Sequence, residues 1–138
     1  MKRIMAIDYG RVKTGIAVTD PLKIAAHGLD TVPTNQLLDF LDEYLFTEEV
    51  ETIVFGEIIR ADGSQGQNHE RIQKVMAAIN KKYPDIILTS FDESYTSQRA
   101  KEIILKSGVK KKKRRDKTLV DKISAILILQ DYMEANGI

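Results

Sequence analysis

The chain has no cysteine among its 138 residues. That removes disulfides, thiolate zinc sites and cysteine nucleophiles together, and it fits a reducing compartment. Long apolar runs are missing too. The longest, residues 75–79 and 125–129, fall far short of the about 20 residues that cross a bilayer. The N-terminus, Met1-Lys2-Arg3-Ile4-Met5-Ala6-Ile7-Asp8, brings charge into its apolar stretch too early for a signal peptide. The expectation is a cytoplasmic protein with no membrane contact. Histidine is scarce: His27 and His69 are the only two. Neither has a partner at metal-ligand spacing, so both read as structural or surface residues. Nor is there a large net charge, since 21 lysines and arginines against 20 acids leave +1, which selects no partner.

What is present fits one domain spanning residues 1–138. Hydrophobic residues make up 43% of the chain, enough for a single core and too many for disorder. The charge is unevenly spread. Lys110, Lys111, Lys112, Lys113, Arg114, Arg115 and Lys117, with Asp116 among them, carry a net +6 and leave −5 on the rest. One positive patch on an acidic body is how a protein docks a polyanion at one place. A solvated charge run is the bland alternative.

Residues 3–8 and 14–19 are apolar, β-prone runs joined by Tyr9-Gly10-Arg11-Val12-Lys13, a hairpin with glycine in its turn. A third strand is expected over residues 24–32. Pro33 and Thr34 then open a helix with Leu37, Leu38, Leu41 and Leu45 on one face. Residues 52–56 read as a short buried strand. Ser64-Gln65-Gly66-Gln67 form a capping box for a helix carrying Ile72, Val75, Met76 and Ile79, which Pro84 closes. A strand over 86–91, a helix capped by Thr96 and ended by Gly108, and a last helix over 118–135 complete the chain. The order β-β-β-α-β-α-β-α-α predicts an α/β fold, one mixed sheet flanked by helices.

Acids fall where these elements converge. Asp8 ends the first strand, and Asp92 and Glu93 end the strand before Thr96. Ligands of open α/β sheets sit outside the carboxyl ends of strands, so these side chains can share a site. Asp121 lies in the first turns of the final helix, with the small residues Ser124 and Ala125 one turn on. That strip lets the helix approach the sheet and turns the acid inward. Carboxylates meeting without histidine suit hard cations, Mg²⁺ or Mn²⁺, which take oxygen ligands and serve phosphodiester hydrolysis. Taken singly, each acid also has an ordinary role as a cap or turn residue.

Asp8-Tyr9-Gly10 followed by Gly15-Ile16-Ala17-Val18-Thr19-Asp20-Pro21 resembles the opening motif of the YqgF/RuvX family. Asp62-Gly63-Ser64 resembles its central loop and Asp92-Glu93 its acidic pair. Val120-Asp121-Lys122-Ile123-Ser124-Ala125, running on to Ile128-Leu129-Gln130-Asp131-Tyr132, is similar to its closing helix. The resemblance covers nearly the whole chain in order. It implies a ribonuclease-H-like fold close to the RuvC-type junction resolvases. Family members are described as nucleases acting at the 5′ end of precursor 16S ribosomal RNA, and formerly as Holliday-junction resolvases. Carried across by position, Asp8, Glu93 and Asp121 become the catalytic, metal-binding acids, with Asp92 a weaker candidate.

Two departures stand out. Where the family usually has Leu-Pro after the glycine of the fourth strand, Gly56 precedes Glu57-Ile58, and Glu57 is expected to add a carboxylate near the metal. Where the family commonly has arginine after the acidic pair, this chain has Ser94, which removes a phosphate-contacting or orienting cation. Arg11 and Lys13, beside Asp8, either hold a backbone phosphate or belong to a solvated turn. With Lys122 and the basic run they make up the nucleic-acid-binding set. Tyr9 and Tyr95 either stack on an unpaired base or pack at element boundaries. The partner is then pre-rRNA or branched DNA, with the protein a monomer or weak homodimer. A phosphotransferase of the actin and hexokinase type and a non-catalytic RNA-binding assembly factor are the other classes that these motifs allow.

Overall fold

A computed structural model describes residues 2–58, 68–92, 96–106 and 117–138, the side chains of residues 96–98, 117 and 118 excepted. The elements follow the expected order: β1 (Arg3–Tyr9), β2 (Lys13–Thr19), β3 (Ala26–Pro33), α1 (Leu37–Thr47), β4 (Val50–Glu57), α2 (His69–Lys82), β5 (Ile87–Asp92), α3 (Thr96–Lys106) and α4 (Lys117–Ala135). They form a five-stranded sheet in the order β3-β2-β1-β4-β5. The first three strands are a meander of antiparallel neighbours, while β4 and β5 run parallel to β1. The carboxyl ends of β1, β4 and β5 therefore share one edge of the sheet.

Alternation along each strand sorts the core onto two faces. Met5 and Ile7 of β1, Ile16 and Val18 of β2, and Ile53 and Phe55 of β4 pack with Leu37 and Leu41 of α1 and Ile72 and Ile79 of α2. Ile4, Ala6, Ala17 and Val54 face the other way, onto Ala125, Ile128, Leu129 and Met133 of α4. Helix α3 joins through α4, where Ala100 and Ile104 meet Val120 and Leu127. Arg99 and Asp131 add an ion pair between these two helices at 2.7 Å.

Two local expectations need correction. The third strand starts at Ala26, two residues late, because the Asp20 carboxylate captures the preceding segment. It accepts the backbone N–H groups of Leu22 (3.1 Å), Ile24 (2.8 Å) and Ala25 (2.8 Å). These bonds hold the Asp20 carboxyl below its ordinary pKa. Lys23, inside that turn, sits at φ 58°. On α1, Leu38 is exposed, so the buried stripe is Leu37 and Leu41 with Leu45 partly covered. The α helix itself begins only after a 3₁₀ turn, Thr34–Gln36. The expected capping box at 64–67 lies outside the described residues.

Candidate active site

Asp8 is the penultimate residue of β1 and pairs across the ladder with Gly15 of β2. Directly opposed residues project to the same face, about 5 Å apart. The even positions of β1, Ile4 and Ala6, face α4, and Asp8 continues that row. Gly15 shows how close the helix comes. A Cβ there would collide with the carbonyl oxygen of Asp121, and would lie 2.6 Å from its carbonyl carbon and 3.2 Å from Lys122 N. Glycine is required at this position by the backbone of α4 lying on β2. The contact sets Asp121, only 9% exposed, over the strand beside Asp8. Both acids are on the α4 side of the sheet, at the carboxyl end of β1.

The small strip behind Asp121 also takes its expected place. Ser124 and Ala125 are fully buried against the sheet. Ser124 Oγ makes no hydrogen bond among the described residues, an oxygen at the helix–sheet seam one turn from Asp121. Lys122 is turned elsewhere. Its stem lies across β3, so that a Cβ at Gly28 would be 2.8 Å from Lys122 Cγ and 3.1 Å from Ile126 Cδ1.

The turn that follows Asp8 is firmly braced. A Cβ at Gly10 would strike the carbonyl oxygen of Lys13, so the tight turn needs glycine. Thr34 Oγ1 donates to Gly10 O at 2.8 Å. Having spent its one proton there, it accepts from Thr14 Oγ1 at 2.8 Å. The Thr34 N–H donates to Val12 O at 2.8 Å, and Asn68 Nδ2 reaches Tyr9 O at 3.0 Å. Arg11 and Lys13 are exposed on this turn, at the same edge as Asp8. Tyr9 turns from Asp8 to the opposite face and packs on Phe55, ring centroids 6.4 Å apart, so it fills the core. Sequence reasoning missed Thr34 and Asn68 as braces, since neither lies near Asp8 in the chain.

Glu57 does not join Asp8. Val54 faces α4, so Phe55 and Glu57 face α2. The Glu57 carboxylate is bonded at 2.7 Å to His69 Nδ1 of α2. The expectation of an added carboxylate beside the metal is thus corrected by strand parity. His69 acquires a partner that no spacing rule revealed, whereas His27 is exposed on β3. Asp92 stands beside Glu57 in the β4–β5 register, on the α2 face, whereas its neighbour Phe91 packs edge-on to Tyr132 of α4. Glu93, Ser94, Tyr95 and the run Lys110, Lys111, Lys112, Lys113, Arg114 and Arg115 lie outside the described residues, as does the side chain of Lys117. Two of the expected three acids, Asp8 and Asp121, are therefore described, both on the α4 side at the carboxyl end of β1. Among the described residues no third His, Cys, Asp or Glu completes a metal-binding group, and no helix is long and apolar enough to cross a membrane.

Comparison with known proteins gives the family and the fold. Residues 2–135 match the family described as RuvX, Holliday junction resolvase. A Porphyromonas gingivalis protein named as a pre-16S rRNA nuclease is 48% identical over 134 residues, 97% of each chain. A Phocaeicola vulgatus protein of the same name is 47% identical over 135 residues, 98% of this chain and 97% of its own. Among solved structures, Thermus thermophilus RuvC in complex with a Holliday junction substrate superposes with a TM-score of 0.55 at 17% identity. The match covers 99% of this chain and 97% of that one. Fowlpox virus resolvase with Holliday junction DNA gives 0.57 at 11% identity, covering 97% and 98%. These likenesses show the ribonuclease-H-like fold expected from the motifs. The chain belongs to the RuvX family of phosphodiester-cleaving enzymes.

Proposed function

We propose that this chain is a divalent-metal-dependent nuclease, one domain acting in the cytoplasm, that processes the 5′ end of precursor 16S ribosomal RNA. The observation that carries the reading is Asp8 and Asp121 on one face at the carboxyl edge of β1, held there by the contact of α4 with Gly15. The names of the bacterial relatives supply the substrate class.

The donor set suits a hard cation. Asp8 and Asp121 offer carboxylate oxygens, Ser124 a buried hydroxyl one turn away, and the chain has no thiolate to favour a softer metal. We assign the third place to Glu93, which follows Asp92 in the chain. These three acids would hold Mg²⁺ or Mn²⁺. Bound there, the ion supplies Lewis-acid stabilisation of the phosphodiester and an activated water. Arg11 and Lys13 hold the backbone phosphates that pass the braced turn, and the basic run before α4 positions the strand by charge. Seven cations with no aromatic between them favour positioning over base readout. The protein works as a monomer or weak homodimer.

The test is cleavage by purified protein of precursor ribosomal RNA and of four-way DNA, in Mg²⁺ or Mn²⁺ and in chelator. Metal-dependent trimming of the RNA is expected. Cleavage confined to the four-way DNA would instead assign the chain to junction resolution, the activity in the family's description. No cleavage of either would leave a non-catalytic role.

A further inference from the structure

The carboxyl edge of the sheet carries a second cluster on its other face. Glu57 closes β4, its side chain is 12% exposed, and its Oε1 lies 2.7 Å from His69 Nδ1. The preceding residue, Asn68, is bonded to Tyr9 O, so the first turn of α2 is tied to the tips of both β1 and β4. The parallel register sets Ile7 beside Phe55. Continued two residues, it sets Tyr9 level with Glu57, on strands about 4.8 Å apart. The His69 ring, with its side chain a third exposed, is therefore held at the edge where β1 ends, on the face opposite Asp8.

A carboxylate can only accept a hydrogen bond, so Glu57 takes the proton on Nδ1. In the neutral ring that leaves Nε2 as an acceptor with a fixed direction. A phosphate oxygen is a poor match for a lone pair. The ribose 2′-hydroxyl is a good one, because it is the backbone donor that RNA has and DNA lacks. We propose that His69, oriented by Glu57, accepts a hydrogen bond from a 2′-hydroxyl next to the cleaved phosphodiester and so selects RNA over DNA. Glu57 is a positioning residue that does not touch the substrate. The inference rests on the nuclease reading above and adds the means of discrimination.

The test uses the full chain at about pH 8. The substrates are an RNA fragment spanning the cut and copies carrying a single 2′-deoxy nucleotide at each flanking position. For wild type, one deoxy position should lower kcat/KM about three- to tenfold, the effect of one lost hydrogen bond. His69→Phe should show that same loss on all-RNA and become insensitive to that deoxy substitution. Glu57→Leu, which restores the residue usual in the family, should lose part of the rate and most of the sensitivity while His69 remains. Far-ultraviolet circular dichroism checks folding of both, and His69→Ala replaces the phenylalanine variant if it is misfolded. Retention of the full deoxy effect in the His69 variants would overturn the inference. So would wild-type cleavage of RNA with no sensitive position, a result that leaves the nuclease reading standing. Failure of wild type to cut any RNA removes both.

Discussion

Replacing Gly15 by alanine tests whether the approach of α4 to the sheet is what assembles the acids. The added Cβ would lie 2.6 Å from the carbonyl carbon of Asp121, against about 3.5–4.0 Å for a relaxed carbon contact. Both sides of the clash are main chain, so no rotamer change relieves it. The helix has to lift from β2 by about 1 Å. Overpacking of this kind costs about 1–3 kcal/mol, which for a domain of this size lowers Tm by about 3–12 °C. A displacement of about 1 Å in a positioned catalytic group lowers turnover by about a hundredfold. The assay pairs thermal unfolding with single-turnover cleavage well below the midpoint. Gly15→Ala should fold, unfold earlier and cut about a hundredfold more slowly, with substrate affinity much less changed. Gly28→Ala is the internal control. There the new Cβ meets the Lys122 stem at 2.8 and 2.9 Å and the end of Ile126 at 3.1 Å. Side-chain ends can move aside, so both rate and Tm should stay near wild type. If Gly15→Ala cleaves at the wild-type rate, Asp121 does not depend on that contact and the argument for the site fails.

Asp8→Asn keeps the shape of the side chain and removes the charge that holds a cation, so cleavage should be abolished with Tm unchanged. Wild-type turnover in Mg²⁺ or Mn²⁺ would remove Asp8 from the set. Changing Lys111, Lys112, Arg114 and Arg115 to glutamine should weaken binding on every sequence alike. The slope of log K against log salt should flatten by about 0.7–0.9 per lost phosphate contact; an unchanged slope in a filter-binding titration would reduce the run to a solvated segment. At the α1–α2 surface, Lys82 and then Tyr83, both at 2.5 Å, hold the Asp42 carboxyl below its ordinary value of 3.8. A depressed acid stabilises the fold above its unfolded pKa and loses that contribution as pH falls through the folded one. The Tm difference between wild type and Asp42→Asn should therefore hold near neutrality and disappear in strong acid. It should also fade in alkali, as Tyr83 and Lys82, both raised by Asp42, lose their protons. A difference independent of pH would rule this linkage out.

The elements were legible because each carries its own local signal. The glycine turn after Asp8, the leucine stripe of α1, Pro84 and the small-residue strip of α4 all act within a few residues. Parity in the central strands was not legible. In Ile4-Met5-Ala6-Ile7 and Thr52-Ile53-Val54-Phe55 every residue is buried, since both faces of the sheet are covered. Such a strand shows no apolar–polar alternation from which to read its faces. The sequence therefore suggests Glu57 beside Asp8, whereas strand parity sets it, and the neighbouring Asp92, on the other side. His69 and Asn68 were opaque for another reason. Their partners, Glu57 and Tyr9, are brought to them by the parallel crossover, and nothing in the intervening residues encodes that meeting.

One signal in these strands does mark the face, and it is size. Toward the carboxyl end of β1, the α4 side of β1 and β2 presents Ala6, Gly15 and Ala17, with Ile4 at the far end of the strand; on the α2 side they present Met5, Ile7, Ile16 and Val18. The second set fills the wide space beneath two helices. The first leaves room for one helix to lie close to the sheet, with Ser124 and Ala125 continuing the narrow seam on its own side. A carboxylate on a strand and one on a helix can face a common point only if their backbones come this near, because an aspartate side chain spans just two carbons. Under the proposed metal site, the small residues around Asp8 have a chemical reason as well as a packing one: they would bring Asp121 within reach of Asp8, where glutamate at either place would tolerate a wider gap.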